Sequence, residues 1–480
     1  MSKSKLPSAS LTPTAPASMS QVSGARAGAT ARGLSAFVFV GLIAIIALSP
    51  IPYGSVEPGW TALFEAAVFL LASLWAIEGA LSGRRVERAH VLVVPGLALA
   101  AYALLQSITL AGGAVSFDPF ETRLVAIKLL AYTSFLALLL RYINTERRLR
   151  ALLYAVVAAG LASALFGIAR QTAQRGQEGF VLEYLRVGTG YAQFINKNHF
   201  AYLAEMTLGV LLGLVAGRGV ARGKALVPLA LALPVWAALV LSNSRGGIFA
   251  MLCQIIFLGA TFGVTRAGQV VESGQEHPAR GHTDRTHSVL DRVARSKAAR
   301  AALVIALLAT IVVGMVWLGG DALADRVASV GEEVTTEATD ATRTGRKDIW
   351  AATWEMFEEH PLAGVGFGGY WIAVSRYHKG SGGSVPQQAH NDYLETLASG
   401  GLLGAAVVAS FLFMFIKQSA PRLHEGSQFA RAACLGALTG LCGVAVHSLV
   451  EFGLHVPSNA FAAVALVAAA TARAGIRPKN

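Results

Sequence analysis

Six short stretches hold the side chains that could do chemistry outside a packed core. Leu241-Ser242-Asn243-Ser244-Arg245-Gly246-Gly247 places a guanidinium beside two glycines. An arginine fork matches phosphate oxygens two at a time, and Gly246 and Gly247 would let another segment approach closely. Phe194-Ile195-Asn196-Lys197-Asn198-His199-Phe200 adds Lys197, Asn198 and His199 as further partners for phosphate or hydroxyl groups. A third stretch carries Arg343, Arg346, Lys347 and Trp350. His360-Pro361-Leu362-Ala363-Gly364-Val365-Gly366-Phe367-Gly368 follows it, and His390-Asn391-Asp392-Tyr393-Leu394-Glu395 comes next. Imidazole is the side chain that changes charge near neutral pH, so His390 could take a proton or orient a hydroxyl. Asp392 and Glu395 have capping-box spacing, which predicts Asp392 as a helix N-cap. In the last stretch, His447 and Glu451 lie four apart, and the helical period predicts that they satisfy each other.

Several readings fall away. Gly364, Gly366 and Gly369 literally satisfy GxGxxG, but a dinucleotide site needs a strand before the run and a helix after it. A tight turn bringing backbone close to a ligand or another helix is the better reading. There is no DxD, HExxH, GxSxG or Walker loop. A transferase built from these residues would not take its donor as a metal-held nucleotide. Outward Arg, Lys and His groups suit a lipid-linked diphosphate, whose departure guanidinium charge can stabilise. The three cysteines, Cys253, Cys434 and Cys442, match no metal spacing and read as small core residues. No metal and no other cofactor is expected.

The elements that must position these residues are membrane helices. Of 480 residues, 54% are hydrophobic and 14% charged, too few to cover the surface of soluble domains. Mean hydropathy is +0.53. The apolar blocks are long enough to cross a hydrocarbon core about 30 Å thick, and such spans must be helical. Twelve are predicted: 34–51, 60–81, 91–111, 123–140, 151–169, 200–216, 225–242, 247–264, 301–319, 394–416, 432–452 and 457–472. With a cytoplasmic N-terminus, the inward segments hold 27 of the 40 lysines and arginines, which satisfies the positive-inside rule. The net charge of +12 is then a topology signal, and no nucleic-acid partner is implied. Residues 1–33 read as disordered, and 265–300 as a polar cytoplasmic loop. Two outward loops, about 170–199 and 320–393, are too long to be plain connectors. The second should carry an amphipathic helix with Ile349, Trp350, Thr353 and Phe357 on one face.

Taken together, the Ser-Arg-Gly-Gly hairpin, the Arg346–Trp350 spacing, the His-Pro-Leu and Gly-Val-Gly run and the HNDYLE segment resemble the O-antigen ligase and Wzy-type polymerase superfamily. Pro52–Glu57, Asn196–His199 and His447-Ser448 resemble further segments of that group. The resemblance runs from about residue 34 to 472 and is strongest over 196–250 and 343–405. It implies an all-α, polytopic protein related to the GT-C glycosyltransferases, in the bacterial inner membrane, with both termini cytoplasmic. It also implies a large periplasmic loop over 320–393 that carries catalysis. The implied reaction moves a glycan from undecaprenyl diphosphate to an acceptor hydroxyl without a metal. Two diphosphate-binding arginines and a histidine carry it, falling on Arg245, Arg346 and His390. Arg343, Lys197, Asn198, His199, Asn391 and His447 are expected to assist in substrate binding.

A ligase would use lipid A–core as acceptor, and a polymerase the growing glycan on its own lipid carrier. A third reading is a transporter of bicarbonate or another anion. It would need charges lining a path through the membrane, yet Glu65, Glu78, Lys128 and Glu205 are scattered.

Overall fold

The computed structural model describes residues 19–82, 90–109, 114–174, 190–272, 305, 309, 346–378 and 386–473. These fold into α1 (Met19–Leu48), α2 (Pro58–Ser82), α3 (Val93–Gln106), α4 (Pro119–Tyr142) and α5 (Glu146–Gln174). There follow α6 (Lys197–Ala216), α7 (Leu226–Leu241), α8 (Arg245–Glu272), α9 (Arg346–Glu359) and α10 (Tyr370–Tyr377). The chain closes with α11 (Asp392–Ser419), α12 (Gln428–His447) and α13 (Pro457–Thr471). The described residues are all-helical, with one isolated bridge between Tyr191 and Phe194.

Seven helices are long and apolar enough to cross a membrane, in α1, α2, α4, α5, α6, α11 and α12. Four shorter apolar helices lie within α3, α7, α8 and α13. Apart from Ile305 and Ala309, the predicted span 301–319 lies outside the described residues, as does most of the predicted loop 265–300. Two boundaries differ from expectation. The helix α1 begins at Met19, inside the segment read as disordered. The helix α8 runs to Glu272.

Lipid explains where the large apolar side chains go. Leu63, Leu70 and Ile77 of α2, Leu233 and Trp236 of α7, and Leu412, Phe413 and Ile416 of α11 all face outward. A soluble surface does not carry such a belt. This is a multi-pass membrane protein.

The centre of the bundle is α6, most of whose side chains are buried. Its partner is α12, and the seam between them is made of small residues. A Cβ on Gly213 would lie 2.1 Å from the Gly436 Cα, and one on Gly209 would lie 2.3 Å from the Gly440 nitrogen. Helices in lipid gain no hydrophobic driving force from each other, so glycines that let backbones touch supply the packing.

The segment 346–378 sits on the end of this bundle through an interruption in α11. Gly401 has φ 61° and ψ −167°, which breaks the helical ladder. The freed carbonyls of Ala398 and Ser399 accept the amides of Val365 and Gly366 at 3.0 and 2.9 Å. Beyond the break, the Leu402 amide returns a bond to the Pro361 carbonyl at 2.8 Å. Gln106, at the end of α3, donates to the carbonyls of Ala363 and Ser399 at 2.7 and 3.1 Å. The glycine run is therefore a docking turn. Gly364 and Gly366 take φ of 68° and 91°, and a Cβ on Gly366 would lie 2.3 Å from the Ser116 hydroxyl. Above it, Ala352, Met356, Val365, Tyr370, Val374 and Ala398 form a small separate core.

Candidate active site

The buried face of α9 is Ile349, Ala352, Thr353 and Met356. This agrees with the expected period except that Trp350 and Phe357 are half-buried. Trp350 packs against the cluster of Phe249, Cys253, Val446 and Val450 on α8, the end of α12 and the turn after it. Its indole N–H donates to the Ala389 carbonyl at 3.0 Å. One side chain thus seats α9 on the bundle and also grips the residue before His390.

His390 has φ of +51°, a left-handed conformation that a non-glycine side chain adopts at a cost of about 1–2 kcal/mol. Its surroundings over-determine it. The Ala389 amide donates to Glu395 Oε2 at 2.7 Å, and the Asp392 amide donates to the Ser448 carbonyl at 2.9 Å. Asn391 caps α11, its side-chain oxygen accepting from the Tyr393 and Leu394 amides at 3.1 and 3.0 Å.

That corrects the sequence reading, in which Asp392 was the cap. Asp392 instead opens the first turn, and its Oδ2 accepts from the Ser448 hydroxyl at 2.7 Å. Asn391 wins because its own backbone is extended, the conformation an N-cap needs.

The imidazole of His390 lies with Nδ1 3.0 Å from both oxygens of Glu451. Glu451 is 1% exposed. Its Oε1 also accepts from Arg346 at 3.2 Å and from the Asn198 amide nitrogen at 2.9 Å. The Asn198 side-chain oxygen in turn accepts from the Ser244 hydroxyl at 2.8 Å. Ser244 directly precedes Arg245, the first residue of α8, which is exposed. Burial raises the carboxyl pKa of Glu451, but the hydrogen bond and charge of His390, with Arg346 and His199, more than offset this and hold it at about 2.

The second correction concerns His447 and Glu451, which do not pair. The helix α12 stops at His447, five residues short of the predicted end, and the chain turns. His447 Nδ1 instead meets Glu205 Oε1 at 2.7 Å, with both side chains fully buried between α12 and α6. Its ring stacks on Tyr202 at 4.4 Å, and a Cβ on Gly246 would meet its Nε2 at 2.5 Å. The turn sends Glu451 the other way, to His390.

Of the expected site residues, then, Arg346, His390 and Asn198 converge on Glu451, and Arg245 adjoins Ser244 at the edge of the same network. Lys197 opens α6 next to Asn198, capped by Asn196. His199 is buried, with its ring edge-on to Phe452 at 5.0 Å, and Phe452 also packs His390 at 4.8 Å. Asn391 is committed to capping, and His447 is buried. Arg343 lies outside the described residues. Glu451 and Ser244 were missed. The only signal for Glu451 was a carboxylate at the end of an apolar block, and the helical period had already assigned it to His447.

The stretches resembling the O-antigen ligase superfamily thus meet at one end of the bundle. Residues 229–409 match the O-Antigen ligase family. The matched segment contains Arg245, Arg346 and His390, and supports glycosyl transfer of the O-antigen ligase or polymerase type in polysaccharide biosynthesis. No curated relative matches this chain.

Proposed function

We propose that this protein moves a glycan from undecaprenyl diphosphate to an acceptor hydroxyl at the periplasmic face of the bacterial inner membrane. The observation that carries this reading is the meeting of Arg346 and His390 over Glu451, two hydrogen bonds from the Arg245 hairpin through Asn198. Arg245 and Arg346 bind the diphosphate, whose negative charge grows as its bond to C1 breaks. The acceptor oxygen attacks C1 from the opposite face, giving inversion, and His390 takes its proton. Preorganised charge on the leaving group is the larger contribution, and general-base help adds about 10²–10⁴-fold. Two guanidinium groups would meet the diphosphate charge in place of a metal.

The helices α6 and α8 both begin at this site, so the positive ends of their dipoles add to the same field. On this reading twelve helices cross the membrane on a GT-C-like plan with both termini cytoplasmic, and the prenyl chain lies against the apolar belt. The acceptor is lipid A–core, as in an O-antigen ligase.

The test is a deletion strain complemented with wild type or with His390→Ala, its glycans separated by anchor and length. Long chains on the lipid carrier but absent from lipid A–core are the expected result for both the deletion and the variant. Single repeat units on the carrier, with no long chains anywhere, would make it a Wzy-type polymerase. A glycan profile unchanged by deletion would refute glycosyl transfer.

A further inference from the structure

We propose that Glu451 is a positioning residue that fixes the tautomer of His390 and holds its ring for proton transfer. The inference rests on the transfer reading above and adds to it a residue outside the matched segment. An ionised carboxylate only accepts hydrogen bonds. With both Glu451 oxygens 3.0 Å from Nδ1, that nitrogen carries the hydrogen, and the lone pair is left on Nε2. Without the carboxylate the imidazole could place its proton on either nitrogen, and only one tautomer is a base at Nε2.

The carboxylate is itself held. Arg346 from α9 and Asn198 from α6 bond to Oε1, so the oxygens cannot rotate away from His390. The charged and titratable groups facing the pair are Arg346 from α9, His199 from α6 and Asp392 from α11. Asp392 is engaged with Ser448 and is not bonded to His390.

In the step itself, the acceptor O–H proton passes to Nε2 as oxygen bonds to C1. The C1–O bond to phosphate breaks, and its electron pair leaves on the diphosphate. The imidazolium that forms lies against the Glu451 carboxylate, which stabilises it without taking a proton. The arrangement has the logic of a base oriented by a buried acid.

Two variants and two readouts test this in purified full-length protein. Glu451→Gln keeps the size of the side chain and removes its charge. Glu451→Asp keeps the charge one methylene further back. The first readout is transfer from a polyprenyl-diphosphate glycan against pH. We expect kcat of Glu451→Gln to fall at least about tenfold, with the acid limb of its profile moved to lower pH. The limb moves because an imidazolium without its counter-charge loses its proton more readily. Glu451→Asp should keep the wild-type limb.

The second readout does not depend on activity: the rate at which diethyl pyrocarbonate modifies His390, followed by peptide mass spectrometry against pH. The same shift is expected there. An unchanged modification profile in Glu451→Gln would overturn the positioning role, as would a purely abundance-linked loss of transfer. Wild-type protein that transfers no glycan would overturn the transfer reading alone, and the modification profile would still decide the role of Glu451.

Discussion

Gly401→Ala should separate the outer segment from the bundle without removing the protein from the membrane. Gly401 sits at φ 61°, ψ −167°, a region essentially reserved for glycine. Holding an alanine there costs about 1–3 kcal/mol, and its Cβ would lie 2.3 Å from the Leu362 carbonyl oxygen, a backbone atom that cannot swing aside. Alanine also favours an unbroken helix by about 1 kcal/mol over glycine. A straightened α11 would take back the carbonyls of Ala398 and Ser399, and the amides of Val365 and Gly366 would lose their partners. A net penalty of about 3 kcal/mol shifts docked against undocked segment by roughly 150-fold. The assay is transfer activity at matched membrane abundance, with limited trypsin digestion of the outer segment. The expected result is normal abundance, faster cleavage at Arg346 and Arg376, and at least a tenfold loss of transfer. Activity within twofold of wild type, with an unchanged digest, would refute the argument that the break in α11 seats the site.

Three further outcomes follow from particular contacts. Gly213→Leu would drive side-chain atoms into the Gly436 backbone and should abolish folded protein in the membrane. Gly79→Leu, with nothing within 4 Å of its Cβ position, should be tolerated, and quantitative blotting of membranes distinguishes the two. Trp350→Phe loses one neutral hydrogen bond to Ala389 worth about 0.5–1.5 kcal/mol; transfer kinetics should show a two- to tenfold loss, with normal abundance. The carboxyl of Glu451, held at about 2, contributes stability that is complete above about pH 4.5 and is lost as pH falls towards 2. Melting of detergent-solubilised protein from pH 7 to 3 should therefore fall more steeply for wild type than for Glu451→Gln, and parallel curves would contradict the assignment.

Much of this was legible in the chain because lipid leaves few choices. Eleven of the expected apolar spans correspond to helices, since backbone groups in hydrocarbon can be paired in no other way over such lengths. Arg245, Arg346 and His390 stood out because each is a polar group that no helix needs. The places where the reading failed share one cause, which is that the end of a helix depends on tertiary partners. Asn391 and Asp392 are both good caps, and the choice between them was made by Ser448, fifty-odd residues away. The end of α12 was invisible because Val450 and Phe452 continue the apolar pattern past His447. The interruption at Gly401 could be noticed as Gly400-Gly401 in a predicted span. Nothing local says that Pro361 to Gly366 fill the gap.

The family match stops at residue 409, yet the carboxylate that grips Arg346 and His390 is residue 451 and its amide partner is residue 198. The recognisable domain is therefore not a cassette that could be cut out or grafted. It also sets an order of events during biosynthesis. As the chain emerges, both arginines and the histidine are in place well before α12 and the turn after it are made. Until the turn after α12 is made, neither Arg346 nor His390 has the Glu451 carboxylate against which both sit in the folded protein. On the proposed reading, a chain stalled or clipped before α12 lacks the carboxylate that holds His390, and it should reach the membrane yet transfer no glycan.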